Sequence, residues 1–169
     1  YVIFGGTASD NINLTNHTGN ATIYGGVGEF DAADGADTIT GSSSGNNIIF
    51  GNGGADVITV RSGQNQSAIV YGGAGDDTIT ATPGHASAST TLFGHSGIDQ
   101  FAVNFSSAAA TVRIGDFGTE ADKINVTLSG GAGATALEYT LTDTTTTFSR
   151  STSNDKIIFD NFTGNFGAN

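Results

Sequence analysis

Short apolar runs recur along the first two thirds of the chain. Each run ends in a large apolar residue followed by glycine, and the spacings between the residues that precede glycine are 20, 26, 21, 22 and 21. Those residues are Phe4, Tyr24, Phe50, Tyr71, Phe93 and, in a last copy that lacks the aromatic, Ile114. Because a strand-like run returns at this nearly constant spacing, the pattern predicts a solenoid of stacked strands.

A second strand-like run follows each glycine, after a turn that ends in aspartate. The clearest copy reads Gly-Gly-Ala-Gly-Asp-Asp-Thr-Ile-Thr over residues 72–80. The apolar residue two positions after the aspartate should point inward and stack into a ladder, and the aromatics before glycine should form a second ladder. The members of the inward ladder are Ile12, Ile39, Ile58, Ile79, Phe101 and Ile124. An insertion of seven residues, 27–33, interrupts the second copy and explains its longer spacing.

The aspartate turns match the nonapeptide G-G-x-G-x-D-x-U-x, in which U is a large apolar residue. On this motif, residues 1–124 resemble the RTX family of secreted bacterial proteins. The resemblance implies an all-β fold, a right-handed parallel β-roll or β-solenoid that binds Ca²⁺ in its turns. We expect about six coils in residues 1–125 and a small antiparallel cap in residues 126–169.

The resemblance also implies the calcium ligands. Side-chain ligands would be Asp10, Asp37, Asp56, Asp77 and Asp99, with Asp116 and Asp122 in the segment that ends the roll. Backbone carbonyl ligands would come from Gly5, Gly35, Gly51, Gly53, Gly54, Gly72, Gly73, Gly75, Gly94 and Gly97. About four to six ions would then bind, each surrounded by the six to eight hard oxygens that Ca²⁺ prefers.

Each coil carries a single aspartate turn, whereas the rolls of the family carry two. One edge of the solenoid should therefore hold the aspartates, and the opposite edge should hold uncharged turns rich in Ser, Asn and Gly. Neighbouring strands lie about 4.8 Å apart, and carboxylates at that separation repel one another unless a cation lies between them. Aspartate and glycine also favour turns without any metal, which is the alternative interpretation of the repeat.

Three strands are predicted in the last third of the chain, over residues 137–142, 144–149 and 156–159. In the first of these, apolar residues alternate with Glu and Thr, as is typical of a half-buried strand. The Gly-Gly-Ala-Gly segment at residues 130–133 indicates a flexible hinge. We interpret the three strands as the small antiparallel cap.

Composition and charge narrow the choice of partners. The 169 residues fit one domain, and 16 acidic against 5 basic residues give a net charge of −11. This balance argues against nucleic acid and anionic membranes as partners, and no apolar run is long enough for membrane insertion. Because the chain has no cysteine, disulfides cannot stabilise it, and bound ions are the remaining means.

Catalysis is not expected. The sequence contains neither His-Glu-x-x-His nor Gly-x-Ser-x-Gly, and its few basic residues are scattered, so we predict that the chain is not an enzyme. The histidines, His17, His85 and His95, fall in turns. They are either solvated or form a zinc-binding pair.

Three functions remain open. The first is a self-assembling structural protein of the S-layer or extracellular-filament type, with calcium and other copies of itself as partners. The second is a folding and type I secretion module attached to a secreted enzyme, such as a protease, lipase or epimerase. The third is an adhesive or ligand-binding module, for which the sequence indicates no groove of clustered aromatic and polar residues. All three place the protein outside the cell, secreted or at the cell surface.

The first coil begins directly at the apolar residues Tyr1 and Val2, without a cap. A solenoid needs a cover at each end, so we expect either upstream residues or another subunit there. Head-to-tail contacts between copies do not close on themselves and would generate a fibre or a layer.

Overall fold

A computed structural model describes residues 1–29, 31–106, 109–118, 121–128, 138–142, 145–149 and 155–160. Over these residues the fold is all-β without a helix, and parallel sheets form a β-solenoid of about six turns. The predicted fold class is confirmed. A membrane-crossing helix is likewise not found in this part of the chain.

The chain alternates between two sheets as it winds. The first sheet contains, in spatial order, β1 (Val2–Phe4), β3 (Ala21–Tyr24), β5 (Asn47–Gly53), β7 (Ser67–Ala74), β9 (Ser89–Ser96), β11 (Thr111–Ile114), β15 (Lys156–Asp160), β14 (Thr145–Ser149) and β13 (Glu138–Thr142). The second sheet contains β12 (Lys123–Leu128), β10 (Gln100–Phe105), β8 (Thr78–Pro83), β6 (Val57–Ser62), β4 (Thr38–Thr40) and β2 (Asn11–Asn13). Each coil thus contributes one strand to each sheet.

The predicted inward ladder is confirmed. Its six members pair with one another in register along the second sheet, from Ile12 to Ile124. The four inner members are fully buried, and the two end members are partly buried against the core. The first sheet faces them with Ile23, Ile49, Val70 and Leu92, all fully buried. The core is therefore one thin stack of apolar side chains between the sheets.

The aromatic ladder is confirmed as well. Phe4, Tyr24, Phe50, Tyr71 and Phe93 stack with ring centroids 4.8–5.1 Å apart and interplanar angles of 8–13°. Side chains alternate along a strand, so each ring follows a core residue and lies on the outer face of the first sheet. The inner rings of this aromatic ladder are only half-buried.

The last repeat is shifted by one residue from its predicted alignment. Ile114 pairs with Leu92 and is buried in the core, whereas the spacing aligns it with the outward-facing Phe93. Gly115 takes the outward position, and the ring of Phe93 covers it so closely that a Cβ would collide with it. Burial of an isoleucine favours this register, because a shift by one residue would expose it.

The C-terminal strands lie close to the predicted ones, and β13, β14 and β15 pair antiparallel. However, β15 also pairs in parallel with β11, so it continues the first sheet beyond the last coil. Arg113 of β11 forms an ion pair with Asp160 of β15. Strand β12 runs across the predicted division at residues 125 and 126. Residues 130–133, 137 and 144, named in the prediction of a hinge and of two strand ends, lie outside the described residues.

Polar uncharged turns hold the edge opposite the aspartates, as predicted. The backbone N–H of Asn46 donates to Oδ1 of Asn20 at 2.9 Å, and that of Ser67 donates to Oδ1 of Asn46 at 2.9 Å. Within one turn, the N–H of Ser42 donates to Oδ1 of the buried Asn47 at 2.8 Å. Side-chain amides therefore link successive coils on this edge.

Truncation of the two neighbouring isoleucines of β5 should have unequal effects. Ile49 is fully buried and Ile48 is 37% exposed. We expect Ile49→Ala to lower the free energy of unfolding by about 2–5 kcal/mol, because it leaves a cavity in the thin core. Ile48→Ala should change it by less than about 1 kcal/mol.

The measurement is urea unfolding of both variants at one saturating calcium concentration, since bound ions shift apparent stability. Equal losses for the two variants would contradict the assignment of inner and outer faces.

Candidate metal centre

Six aspartates form one continuous column along an edge of the solenoid. We call Asp10, Asp37, Asp56, Asp77, Asp99 and Asp122 the aspartate column. Oδ1 of each member after Asp10 accepts a hydrogen bond from the backbone N–H of the member one coil earlier. The N–H to Oδ1 distances are 2.8 Å for Asp10 to Asp37, 2.7 Å for Asp37 to Asp56, 2.8 Å for Asp56 to Asp77, 2.9 Å for Asp77 to Asp99 and 3.0 Å for Asp99 to Asp122. The structure thus brings together all five predicted turn aspartates and Asp122.

In four members of the column, the second carboxylate oxygen lacks a hydrogen-bond partner among the described residues. Oδ2 of Asp37, Asp56, Asp77 and Asp99 is buried and has no hydrogen-bond partner in the described part of the chain. Each of these residues is at most 2% exposed. A buried polar atom without a partner is costly, and a buried charge is more so. Something other than the described protein atoms must therefore satisfy these oxygens.

The first glycine of each turn explains where the free oxygens point. A Cβ on Gly51 would collide both with Oδ2 of Asp56 and with the carbonyl oxygen of Gly72 in the next coil. The same pair of oxygens surrounds Gly25, from Asp37 and Gly51. At Gly72 the Cβ would meet Oδ2 of Asp77 and would lie 2.9 Å from the carbonyl oxygen of Gly94. Only glycine leaves room for a carboxylate oxygen and a carbonyl oxygen to converge there.

Two oxygens that converge without a hydrogen between them attract either a cation or a proton. Carboxylate and carbonyl oxygens are the donors that Ca²⁺ prefers, so the donor set fits this ion. An ion at each position would be held by one pair of oxygens: Oδ2 of Asp37 with the carbonyl of Gly51, Oδ2 of Asp56 with that of Gly72, or Oδ2 of Asp77 with that of Gly94. Over the described residues no place gathers three or more carboxylate or imidazole groups. Each ion would therefore take most of its oxygens from the backbone and from water.

Burial raises the pKa of the column carboxyls. The pKa is about 7 for Asp56, about 8 for Asp77 and about 6 for Asp99. In each case burial is the largest cause, the hydrogen bond from the preceding backbone N–H opposes it, and neighbouring carboxylates add to it. The pKa of Asp37 is raised for the same reasons. Without a cation, the column would therefore hold protons near neutral pH.

The other predicted glycines form separate rows. Gly54, Gly75 and Gly97 have positive φ of 98°, 127° and 130°, and a Cβ on each would collide with the backbone of the corresponding glycine one coil earlier, beginning with Gly35. Gly73, with φ of 122°, meets the carbonyl of Asn52 in the same way, and Gly53 faces the backbone of Ala32 and Asp31. Gly5 and Gly94 belong to the first row, beside Oδ2 of Asp10 and Asp99.

Asp116 and Asp122 close the C-terminal end of the site. Asp116 accepts hydrogen bonds from the N–H of Gly94 at 3.0 Å and of His95 at 2.9 Å. Asp122 accepts from the N–H of Asp99 at 3.0 Å and of Gly118 at 2.9 Å. Each carboxylate oxygen of both residues thus has a backbone partner, whereas Oδ2 of the four inner members has none among the described residues.

The histidines are separated along the fold. His17 packs on the ring of Tyr1 at 4.9 Å, and His95 packs on Tyr71 and Phe93 at 5.7 and 6.0 Å. His85 lies exposed in a turn of the opposite edge. This separation argues against a zinc-binding pair, and Nε2 of His17 is buried without a hydrogen-bond partner among the described residues rather than solvated.

The sequence pattern missed a groove of about 740 Å³ beside the aromatic ladder. Its lining includes Glu29 and Asp31 from the insertion, Asn52, Tyr71 and His95. The pattern also missed Gly25, which belongs to the row formed by the first glycine of each turn. The insertion at residues 27–33 was the available signal, because seven residues that break a repeat must be placed somewhere on the surface of the solenoid.

No protein-family model, curated protein or solved structure matches this chain. The resemblance to the RTX family therefore depends on the repeated motif residues.

Proposed function

We propose that this chain is a calcium-dependent, non-catalytic structural protein or module that is secreted and folds outside the cell. The observation that carries the proposal is the row of four buried Oδ2 atoms without hydrogen-bond partners. Each lies beside a glycine whose missing Cβ makes room for it. A cation there would neutralise carboxylates from successive coils and so hold the coils together.

This arrangement links folding to the compartment. A thin core of one apolar stack provides limited stabilisation, and the chain has no cysteine for disulfides. Binding of ions to a site that exists only in the folded chain contributes directly to folding free energy. The chain would stay unfolded in the cytosol, where calcium is scarce, and fold after export.

We further propose that copies of the chain assemble head to tail. β1 and β2 are the edge strands of their sheets, and the first coil exposes Tyr1, Val2 and Phe4 by 71, 61 and 56%. An edge with unpaired backbone groups and apolar side chains favours pairing with another strand. Since this contact and the C-terminal end are different surfaces, repeated contacts would produce a filament or a layer.

Assembly of the purified 169-residue chain should require calcium. We expect sedimentation and negative-stain microscopy to show ordered assemblies in millimolar Ca²⁺ and none in chelator. Val2→Lys should abolish assembly, because a charge on an edge strand opposes pairing. Val27→Lys is the matched control, since Val27 is 62% exposed but lies in the insertion. A calcium-loaded chain that remains monomeric at high concentration would refute assembly.

Two other functions have some support. A module that helps a secreted enzyme to fold would use the same calcium column, and an upstream catalytic domain in the full gene would favour it. A ligand-binding or adhesive role is favoured by the groove beside the aromatic ladder. The exposed first coil favours the structural role over both.

A further inference from the structure

We propose that the insertion at residues 27–33 builds a separate site for a hard divalent cation, held by Asp31, Asp34 and Asn52. This site lies outside the aspartate column and does not depend on the function proposed above.

Two buried polar side chains, Asp34 and Asn52, and the partly buried Asp31 meet beside Gly26. A Cβ on Gly26 would lie 2.7 Å from Oδ2 of Asp34, 2.9 Å from Cβ of Asp31 and 3.0 Å from Nδ2 of Asn52. Asp31 belongs to the insertion, Asp34 directly follows it, and Asn52 lies in β5 of the next coil. Gly26 leaves the space that these groups share.

The polar atoms of this cluster have no partners among the described residues. Asn52 is 6% exposed, and neither its amide oxygen nor its amide nitrogen makes a hydrogen bond to a described residue. Oδ2 of Asp31 and Oδ2 of Asp34 are buried and also without a partner. The other oxygen of each aspartate is occupied, by the N–H of Ala33 at 3.3 Å and of Gly35 at 2.8 Å. In each carboxylate, Oδ1 thus accepts a backbone hydrogen bond and Oδ2 remains available to a ligand.

Two carboxylates and one amide are a typical donor set for a hard cation. Their charges repel unless a cation neutralises them, and their oxygens are the ligands that Ca²⁺ accepts in flexible geometry. The amide of Asn52 can present its oxygen instead of its nitrogen by a half-turn about its last torsion, since oxygen and nitrogen have the same shape. The three side chains thus supply one oxygen each.

The site also has an entry path and a structural consequence. Asp31 and Asn52 line the groove beside the aromatic ladder, so an ion can enter from solvent. Backbone carbonyls of Asp31 and Ala32 lie 3.0 and 2.8 Å from the Cβ position of Gly53, so these two residues pack tightly against β5. A bound ion would fix this wall of the groove.

The experiment counts calcium ions bound per chain by equilibrium dialysis. The test variant is Asp31→Asn with Asp34→Asn, which removes two charges and keeps the shapes. The control is Glu29→Gln with Asp76→Asn, which removes two charges from exposed carboxylates. We expect the test variant to bind about one ion fewer than the parent and the control to bind as many as the parent. Equal binding by the two double variants would overturn the proposal.

A single variant covers the case in which the double variant does not fold. Asn52 has φ of 79°, a conformation that glycine adopts freely, so Asn52→Gly removes the amide without straining the backbone. We expect the calcium concentration that half-saturates this site to rise roughly tenfold in the binding isotherm. An isotherm identical to that of the parent would count against the amide ligand. If instead the aspartate column did not bind calcium, the number of ions bound would be lower by the same amount in the parent and in every variant.

Discussion

In the presence of a chelator near pH 8, the chain is expected to lose most of its strand signal in far-UV circular dichroism, and millimolar Ca²⁺ should restore it. Four column carboxylates are buried with one oxygen free. Near pH 8 the folded chain without ions must either bury these charges or bind protons, and both lower its stability relative to the unfolded chain. Ions between the coils would remove this cost, and calcium binding would then contribute directly to folding free energy.

The control separates specific binding from screening. A monovalent salt at the same ionic strength weakens repulsion between exposed charges but reaches buried pairs much less. We expect it to restore little of the strand signal. Equal strand content in chelator and in calcium would contradict ion-driven folding. The aspartates of the column would then be ordinary turn residues.

Protons should partly substitute for calcium in stabilising the folded chain. In the folded chain the pKa values of Asp56, Asp77 and Asp99 are about 7, 8 and 6, above the value of 3.8 for a free aspartate. The folded chain without ions therefore holds more protons than the unfolded chain. The contribution of these three carboxyls to stability is greatest below about pH 4 and is lost as the pH rises from there through their folded pKa values. In chelator, strand content should be higher at pH 4 than at pH 8.5, and in calcium this preference should disappear or reverse.

The periodic part of the fold could be predicted because burial fixes it. A shift of one residue would move Ile58 or Ile79 from the core to solvent, so the spacing of apolar residues determines the register. Ile114 shows the limit of this argument. Its repeat lacks the aromatic, so the spacing alone did not show which residue faces outward, and the need to bury an isoleucine decided it.

The site was predictable in part. Repetition of aspartate at one position identified the column from Asp10 to Asp99, and the segment after the last repeat identified Asp122. The different roles of the two carboxylate oxygens were not predictable. They depend on the turn that brings Oδ1 to a backbone N–H of the preceding coil and leaves Oδ2 without a partner among the described residues. Asp34 and Asn52 escaped prediction for another reason. A repeat pattern identifies what recurs, and the residues that meet the insertion occur once.

The largest effect of a single substitution is expected at Asp77, and its sign should depend on calcium. Asp77 is fully buried, its Oδ1 accepts the N–H of Asp56 at 2.8 Å, and its Oδ2 is free. Asp77→Asn keeps the shape and the acceptor but removes the charge. In calcium the variant loses a ligand in the middle of the column, and we expect the calcium midpoint of folding to rise by about tenfold or more, since removal of one member of a buried charge pair costs about 3–5 kcal/mol.

In chelator the same substitution should stabilise the chain. The amide nitrogen of Asn would stand near the carbonyl oxygen of Gly94 and could donate to it, and the repulsion from Asp56 and Asp99 would be gone. Asp76→Asn is the matched control, because Asp76 is the exposed neighbour and its Oδ1 accepts the N–H of Ile98 at 2.8 Å. Calcium titrations followed by circular dichroism, with strand content in chelator compared at pH 8.5, where the parent carboxyls are ionised, measure both effects. Equal calcium midpoints for the two variants, or a loss of stability in chelator for Asp77→Asn, would show that the buried carboxylate of Asp77 is not a calcium ligand.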